Sequence, residues 1–189
     1  MRIFVAVFPP AATQTLAAGL IERLRRPGDG VSWVKPDNLH YTLRFLGELG
    51  EDGARRVGES ADEAVTGLTA FEVTLGGTGG FPRARGARVI WLGLTEGTAP
   101  FVALGKRVET ALARRGFEPE RRGFTPHLTL GRVREPSRDW TDTLAALPSI
   151  AADPAARFSV DALAVVESTL SPKGSIYRVW RRAELARQG

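Results

Sequence analysis

The chain has no cysteine, one methionine and only two histidines in 189 residues. The missing cysteine excludes disulfides, thiolate nucleophiles and thiolate metal ligands together. No run of about 18 apolar residues is present, so no segment reads as a membrane-spanning helix. The opening "MRIFVAVFPPAATQ" has too short an apolar stretch, stopped by two prolines, for a secretory signal. It reads as a first strand, and a cytoplasmic location is expected. No segment is of low complexity and no linker separates independent units. A single domain over 1–189 is therefore predicted.

Lysine is scarce too. Only Lys35, Lys106 and Lys173 are lysines among 26 basic residues, the rest being arginine, and the formal net charge is +5. A preference for arginine codons explains such a bias by itself. A phosphate-binding surface also explains it, because the planar guanidinium fork matches phosphate oxygens. Neither reading wins on composition.

What is present alternates between strand and helix patterns. "RIFVAVF" (2–8) reads as a strand. Residues 13–26, with Leu16, Leu20 and Leu24 four apart and Thr13 as a candidate cap, read as a helix. A strand is expected over 38–47, a helix over 52–66, and strands over 71–77 and 87–94. The glycine-rich "GTGGFPRARG" between those two strands reads as a turn or loop. A helix capped by Thr98 and closed by Gly116 follows. Then come a strand at 126–133, a short helix at 139–147, and strands over 157–169 and 175–185 joined by the turn "LSPKG". The order is nearly one motif written twice. It predicts an α+β fold of two pseudo-symmetric lobes, each an antiparallel sheet backed by helices, around a V-shaped cleft.

The two histidines occupy the same frame in each repeat: His40-Tyr41-Thr42-Leu43 and His127-Leu128-Thr129-Leu130. On a strand, positions i and i+2 share a face, so each frame presents a His–Thr pair against an apolar backing. A lone histidine on a strand is ordinary, but two such pairs using every histidine of the chain point to a site. Paired imidazoles suit a reaction that needs a base and an acid near neutral pH. Phosphodiester hydrolysis is one. A neutral His takes a proton from water, a protonated His gives one to the departing oxygen, and threonine hydroxyls donate to nonbridging phosphate oxygens. Asp and Glu are absent from 38–47 and from 124–134, so a metal is not expected and no cofactor is called for.

The frames and their surroundings resemble the bacterial and archaeal RNA 2′,3′-cyclic phosphodiesterases, first described as 2′-5′ RNA ligases, of the two-histidine phosphoesterase superfamily. The resemblance extends to "WVKPDNLHYTLRFLGEL", "ARVIWLGL", "FTPHLTLGRVR" and "ESTLSPKGSIYRVW", in order along nearly the whole chain. It implies metal-independent hydrolysis of RNA 2′,3′-cyclic phosphate ends, or of small cyclic nucleotides, to 2′-phosphates, and a monomer is expected. His40 is then the proton donor and His127 the acceptor, with Thr42, Thr129 and Arg132 on the phosphate. Strict alternation puts Arg132 on the wrong face, with Leu128 and Leu130, unless Gly131 permits a bulge. Phe45 falls with Tyr41 and Leu43 and is expected in the core. Phe4, Trp33 and Phe81 are candidates for base stacking, the first two more readily core residues, and Arg83, Arg85 and Arg88 for contact with an RNA backbone. The alternatives are a reversible 2′-5′ RNA ligase and a non-catalytic RNA-end-binding module.

Overall fold

The computed structural model describes residues 1–134, 138–172 and 174–187. Lys173, in the expected turn between the last two strands, lies outside them.

Strand β1 (Arg2–Val7) shows how the sheet acquires two apolar faces. Ile3, Val5 and Val7 enter the main core, while Phe4 and Ala6 join a separate small cluster on the opposite face. Strand β8 (Ala162–Ser171) divides in the same way: Leu163 and Val165 to the core, Ala164 and Val166 to the small cluster. Helices cover the first face. The second faces the cleft.

The remaining strands are β2 (Val31–Trp33), β3 (Tyr41–Glu48), β4 (Phe71–Phe81), β5 (Val89–Glu96), β6 (Leu128–Val133), β7 (Arg157–Val160) and β9 (Gly174–Glu184). They pair antiparallel in the order β7-β4-β5-β6-β3-β1-β8-β9, with β2 beside β6. At the centre, β3 and β6 share the single partner pair Tyr41–Leu128. The sheet thus divides into β7-β4-β5-β6, extended by β2 to five strands, and the four strands β3-β1-β8-β9, and β3 meets β6 through that one pair. Exchanging β3 with β6, β1 with β5, β8 with β4 and β9 with β7 reproduces the order, so the expected pseudo-symmetry is present.

The helices are exchanged between halves. Helix α1 (Ala11–Leu24) leaves β1 yet packs against β6 and the 3₁₀ turn Pro154–Ala156 of the other half. Helix α3 (Thr98–Arg114) leaves β5 and packs against β3, with the Phe101 ring 5.1 Å from that of Tyr41. Helix α2 (Glu51–Val65) lies against α3, β8 and β9 and buries Val57, Ala61 and Ala64. Each fully buried Leu or Ile of α1 (Leu20, Ile21, Leu24) contributes about 1.5–3 kcal/mol. A short α4 (Thr141–Ala145) completes the set.

Some local expectations are corrected. Thr13 is not a cap: α1 starts two residues earlier, and the buried Thr13 hydroxyl donates to the Ala155 carbonyl at 2.7 Å. The cap of α3 is Gly97, with Thr98 its first residue. Strand β4 runs on through the glycines to Phe81 because the Trp91 ring lies across Gly79, where a Cβ would come within 2.3 Å of it. The three-residue β2 carries too little pattern to be read from sequence. Among the described residues, no helix is long and apolar enough to cross a membrane.

Candidate active site

Each frame histidine sits one residue before its strand, just ahead of β3 or β6. Both are anchored alike. His40 Nδ1 lies 2.6 Å from the Asn38 carbonyl oxygen, and His127 Nδ1 lies 2.7 Å from that of Thr125. A carbonyl only accepts, so the proton resides on Nδ1 and the free nitrogen of each neutral ring is Nε2. The rings are braced differently. His40 is enclosed by Phe4 at 4.9 Å, Phe8 at 5.3 Å and Tyr177 at 5.3 Å between centroids. His127 meets the Phe81 ring edge-on at 5.0 Å.

A bulge follows each frame at the same place. Ala6 opposes Thr42 and Val5 opposes Arg44, which makes Leu43 the extra residue of β3. Trp91 opposes Thr129 and Ile90 opposes Gly131, which makes Leu130 the extra residue of β6. In β6 the extra residue moves the core-facing set from every second to a third position: Leu128, Leu130 and Val133 are all buried, and Arg132 is exposed on the face opposite them. Gly131 is needed here because a Cβ would come within 2.7 Å of both the Trp33 ring and Val31 on the neighbouring strand.

The same shift overturns the expectation for Phe45. Its register position, opposite Phe4, is equivalent to that of Arg132, opposite Val89. Phe45 is 50% exposed, with the Arg2 guanidinium 5.3 Å from its ring centre. Alternation fails for it as it fails for Arg132, and without a glycine nothing flags the failure.

Thr42 and His127 line one cleft of about 650 Å³ together with Leu43 and Phe81. Thr129 stands beside Trp91 on the cleft face. Among the described residues, neither threonine hydroxyl has a hydrogen-bond partner, in contrast to the hydroxyls of Thr13, Thr74 and Thr110. Both histidines are held below the ordinary imidazole value of about 6.5. For His127 the main cause is burial, followed by the Arg132 charge, against the hydrogen bond to Thr125. His40 is lowered by burial first, then by the charges of Arg132 and His127, against its bond to Asn38. One guanidinium therefore acts on both rings. No His, Asp or Glu cluster of three that could hold a metal occurs among the described residues.

Of the stacking candidates, Phe81 lines the cleft, and Phe4 is buried beneath His40. Trp33 packs against the main core, and its indole N–H donates to Asp29 at 2.8 Å. Phe8 and Tyr177 escape sequence reasoning. The β1 alternation continued one residue gives Phe8, whereas nothing in the sequence marks Tyr177.

The family described as the 2′-5′ RNA ligase superfamily matches residues 9–171. A Thermotoga maritima protein named RNA 2′,3′-cyclic phosphodiesterase is 34% identical over 95% of this chain and 92% of its own. Its namesake from Methanothermobacter thermautotrophicus is 33% identical over 94% and 95%. Among solved structures, the protein TT0787 of Thermus thermophilus superposes with a TM-score of 0.82 at 27% identity, covering all of both chains. Sequence and architecture agree along nearly the whole length, and the chain belongs to the 2′-5′ RNA ligase superfamily.

Proposed function

We propose that this protein hydrolyses 2′,3′-cyclic phosphate ends of RNA to 2′-phosphates, without a metal, using His40 as acid and His127 as base. The observation that carries this reading is the matched anchoring of the two imidazoles, each Nδ1 on a backbone carbonyl and each Nε2 free. The names of the relatives support the substrate class.

In the reaction, His127 Nε2 takes a proton from water as the water oxygen bonds to phosphorus. The bond from phosphorus to O3′ breaks, and the proton on His40 Nε2 passes to O3′. The histidines end with exchanged protonation and return to the starting state through solvent. Charge gathering on the nonbridging oxygens is met by the Thr42 and Thr129 hydroxyls and by Arg132. In the free protein all causes except the backbone bonds favour neutral rings. The bound phosphate anion offsets Arg132 and favours protonation of its donor neighbour.

Turnover of a 2′,3′-cyclic mononucleotide in excess chelator tests the proposal. The 2′-phosphate should form at the same rate with and without chelator. Loss of activity restored by a divalent ion overturns the two-imidazole mechanism. Absence of turnover despite tight binding of the RNA end favours a binding module.

A further inference from the structure

The arginines sort into two groups, which composition could not reveal. Most are engaged. Arg55, Arg114 and Arg115 pair with Glu59 and Glu63, Arg181 with Asp62 and Arg178 with Glu167, and Arg107 donates to the carbonyls of Ala64 and Thr66. Arg83, Arg88, Arg121, Arg122 and Arg132 have no ion pair or side-chain hydrogen bond among the described residues. Arg88 and Arg122 line the same cleft as Thr42 and His127. Arg85, by contrast, is drawn toward Asp139 at 3.8 Å.

Both free guanidinia stand on fixed backbone. The Arg88 N–H donates to the Phe81 carbonyl at 2.7 Å, and its carbonyl accepts from Val133 N–H at 2.9 Å. Arg122 rides on the loop between α3 and β6, which is strutted from two sides. Arg44 of β3 reaches across to Glu109 of α3 at 3.0 Å and to the Glu118 carbonyl at 2.6 Å. Glu109 also accepts from the Glu120 N–H at 3.0 Å. The next aromatic, Phe124, packs against the Phe101 ring at 5.4 Å and fills the space a side chain at position 105 would need. An exposed arginine on so braced a loop is preorganised rather than trailing in solvent.

We propose that Arg88 and Arg122 form a second phosphate subsite, which takes the phosphodiester on the 5′ side of the terminal nucleotide. This rests on the proposed reaction, because the terminal ribose at the histidines must hand the chain onward through its 5′-oxygen. The cavity that Thr42 and His127 line is lined also by these two guanidinia. Around His40 the described residues of the other wall are aromatic, and its Arg2 lies over Phe45. Glu120 lines the same rim and accepts from the Arg122 backbone N–H at 3.3 Å. Its carboxylate opposes a phosphate there, which supplies a second test of sign.

The probes are an oligoribonucleotide ending in a 3′-phosphate, which this reaction cannot cleave, and the matching nucleoside 3′-monophosphate. Both are titrated by calorimetry or anisotropy over a series of salt concentrations. In the Arg88→Gln/Arg122→Gln variant, oligonucleotide affinity should fall about tenfold, as for a lost charged hydrogen bond. The salt slope should decrease by about 0.7, the value for one single-strand phosphate. Mononucleotide affinity should hold within about twofold. Glu120→Gln should strengthen oligonucleotide binding and leave the mononucleotide alone. An unchanged salt slope, or a parallel loss of both ligands, overturns the subsite. Cyclic-mononucleotide turnover by the parent is read separately, so failure of the proposed reaction remains distinguishable from failure of the subsite.

Discussion

The two halves of the sheet repeat one another down to a bulge, yet their equivalent positions carry opposite chemistry. After the first frame the bulge is followed by Arg44 and Phe45, and after the second by Gly131 and Arg132. In the first half the arginine comes one residue early, reaches behind the sheet and braces a loop. In the second, glycine lets the neighbouring strand close in, and the charge of the arginine reaches both histidines. A shared backbone thus supplies two matched imidazoles, while the side chains one step further make one wall aromatic and the other cationic. On the proposed reading, symmetry supplies the two imidazoles and asymmetry divides acid from base between them.

The most severe way to break this comparison is to remove one histidine. His40→Ala and His127→Ala should each lower turnover by about 10²–10⁴-fold with the fold intact. A substrate whose leaving group needs no proton should rescue the first variant and not the second. Equal rescue of both would show that the roles are not divided.

Next comes Arg132→Gln, expected to cost about 10²-fold through lost stabilisation of phosphate charge. It should also move the pH profile. Arg132 lowers both histidines, so its removal raises both, and the bell in kcat/KM should shift toward higher pH. In the parent, both limbs should belong to groups titrating below about 6.5, and they are properties of the pair. A profile that stays in place means that Arg132 does not share the histidines' field.

Thr42→Val and Thr129→Val should each cost about tenfold, since each removes one charge-assisted donor of several. Unequal losses would extend the asymmetry of the walls to the frames themselves. The smallest effects concern stability. Gly131→Ala forces a Cβ against Trp33 and should destabilise by about 1–3 kcal/mol. Phe45→Ala, at an exposed site, should stay within about 0.5 kcal/mol in a denaturant titration. A large loss at Phe45 would show that its ring is structural after all.

Much of this is legible in the sequence alone. A continuous apolar run stopped by two prolines reveals β1, and the repeated frames single out the candidate site. What escapes depends on contacts distant in sequence. The extension of β4 depends on the Trp91 ring lying over glycine, and β2 exists only because β6 offers an edge. The bulge is foreseeable at Arg132, where a glycine announces it, and invisible at Phe45, where Leu43 hides it. Alternation is a local rule, and an inserted residue resets it without any compositional sign unless glycine marks the spot.

The exchange of helices has a mechanical consequence. One backbone pair joins the halves between β3 and β6, and a bridge between Thr69 and Ala186 links them again. Helix α1 starts in one half and is seated against the other, and α3 does the reverse. Spreading the cleft would have to strip both helices from the core at once. On the proposed reading, the spacing of the two imidazoles is therefore a property of the fold, set before any substrate arrives.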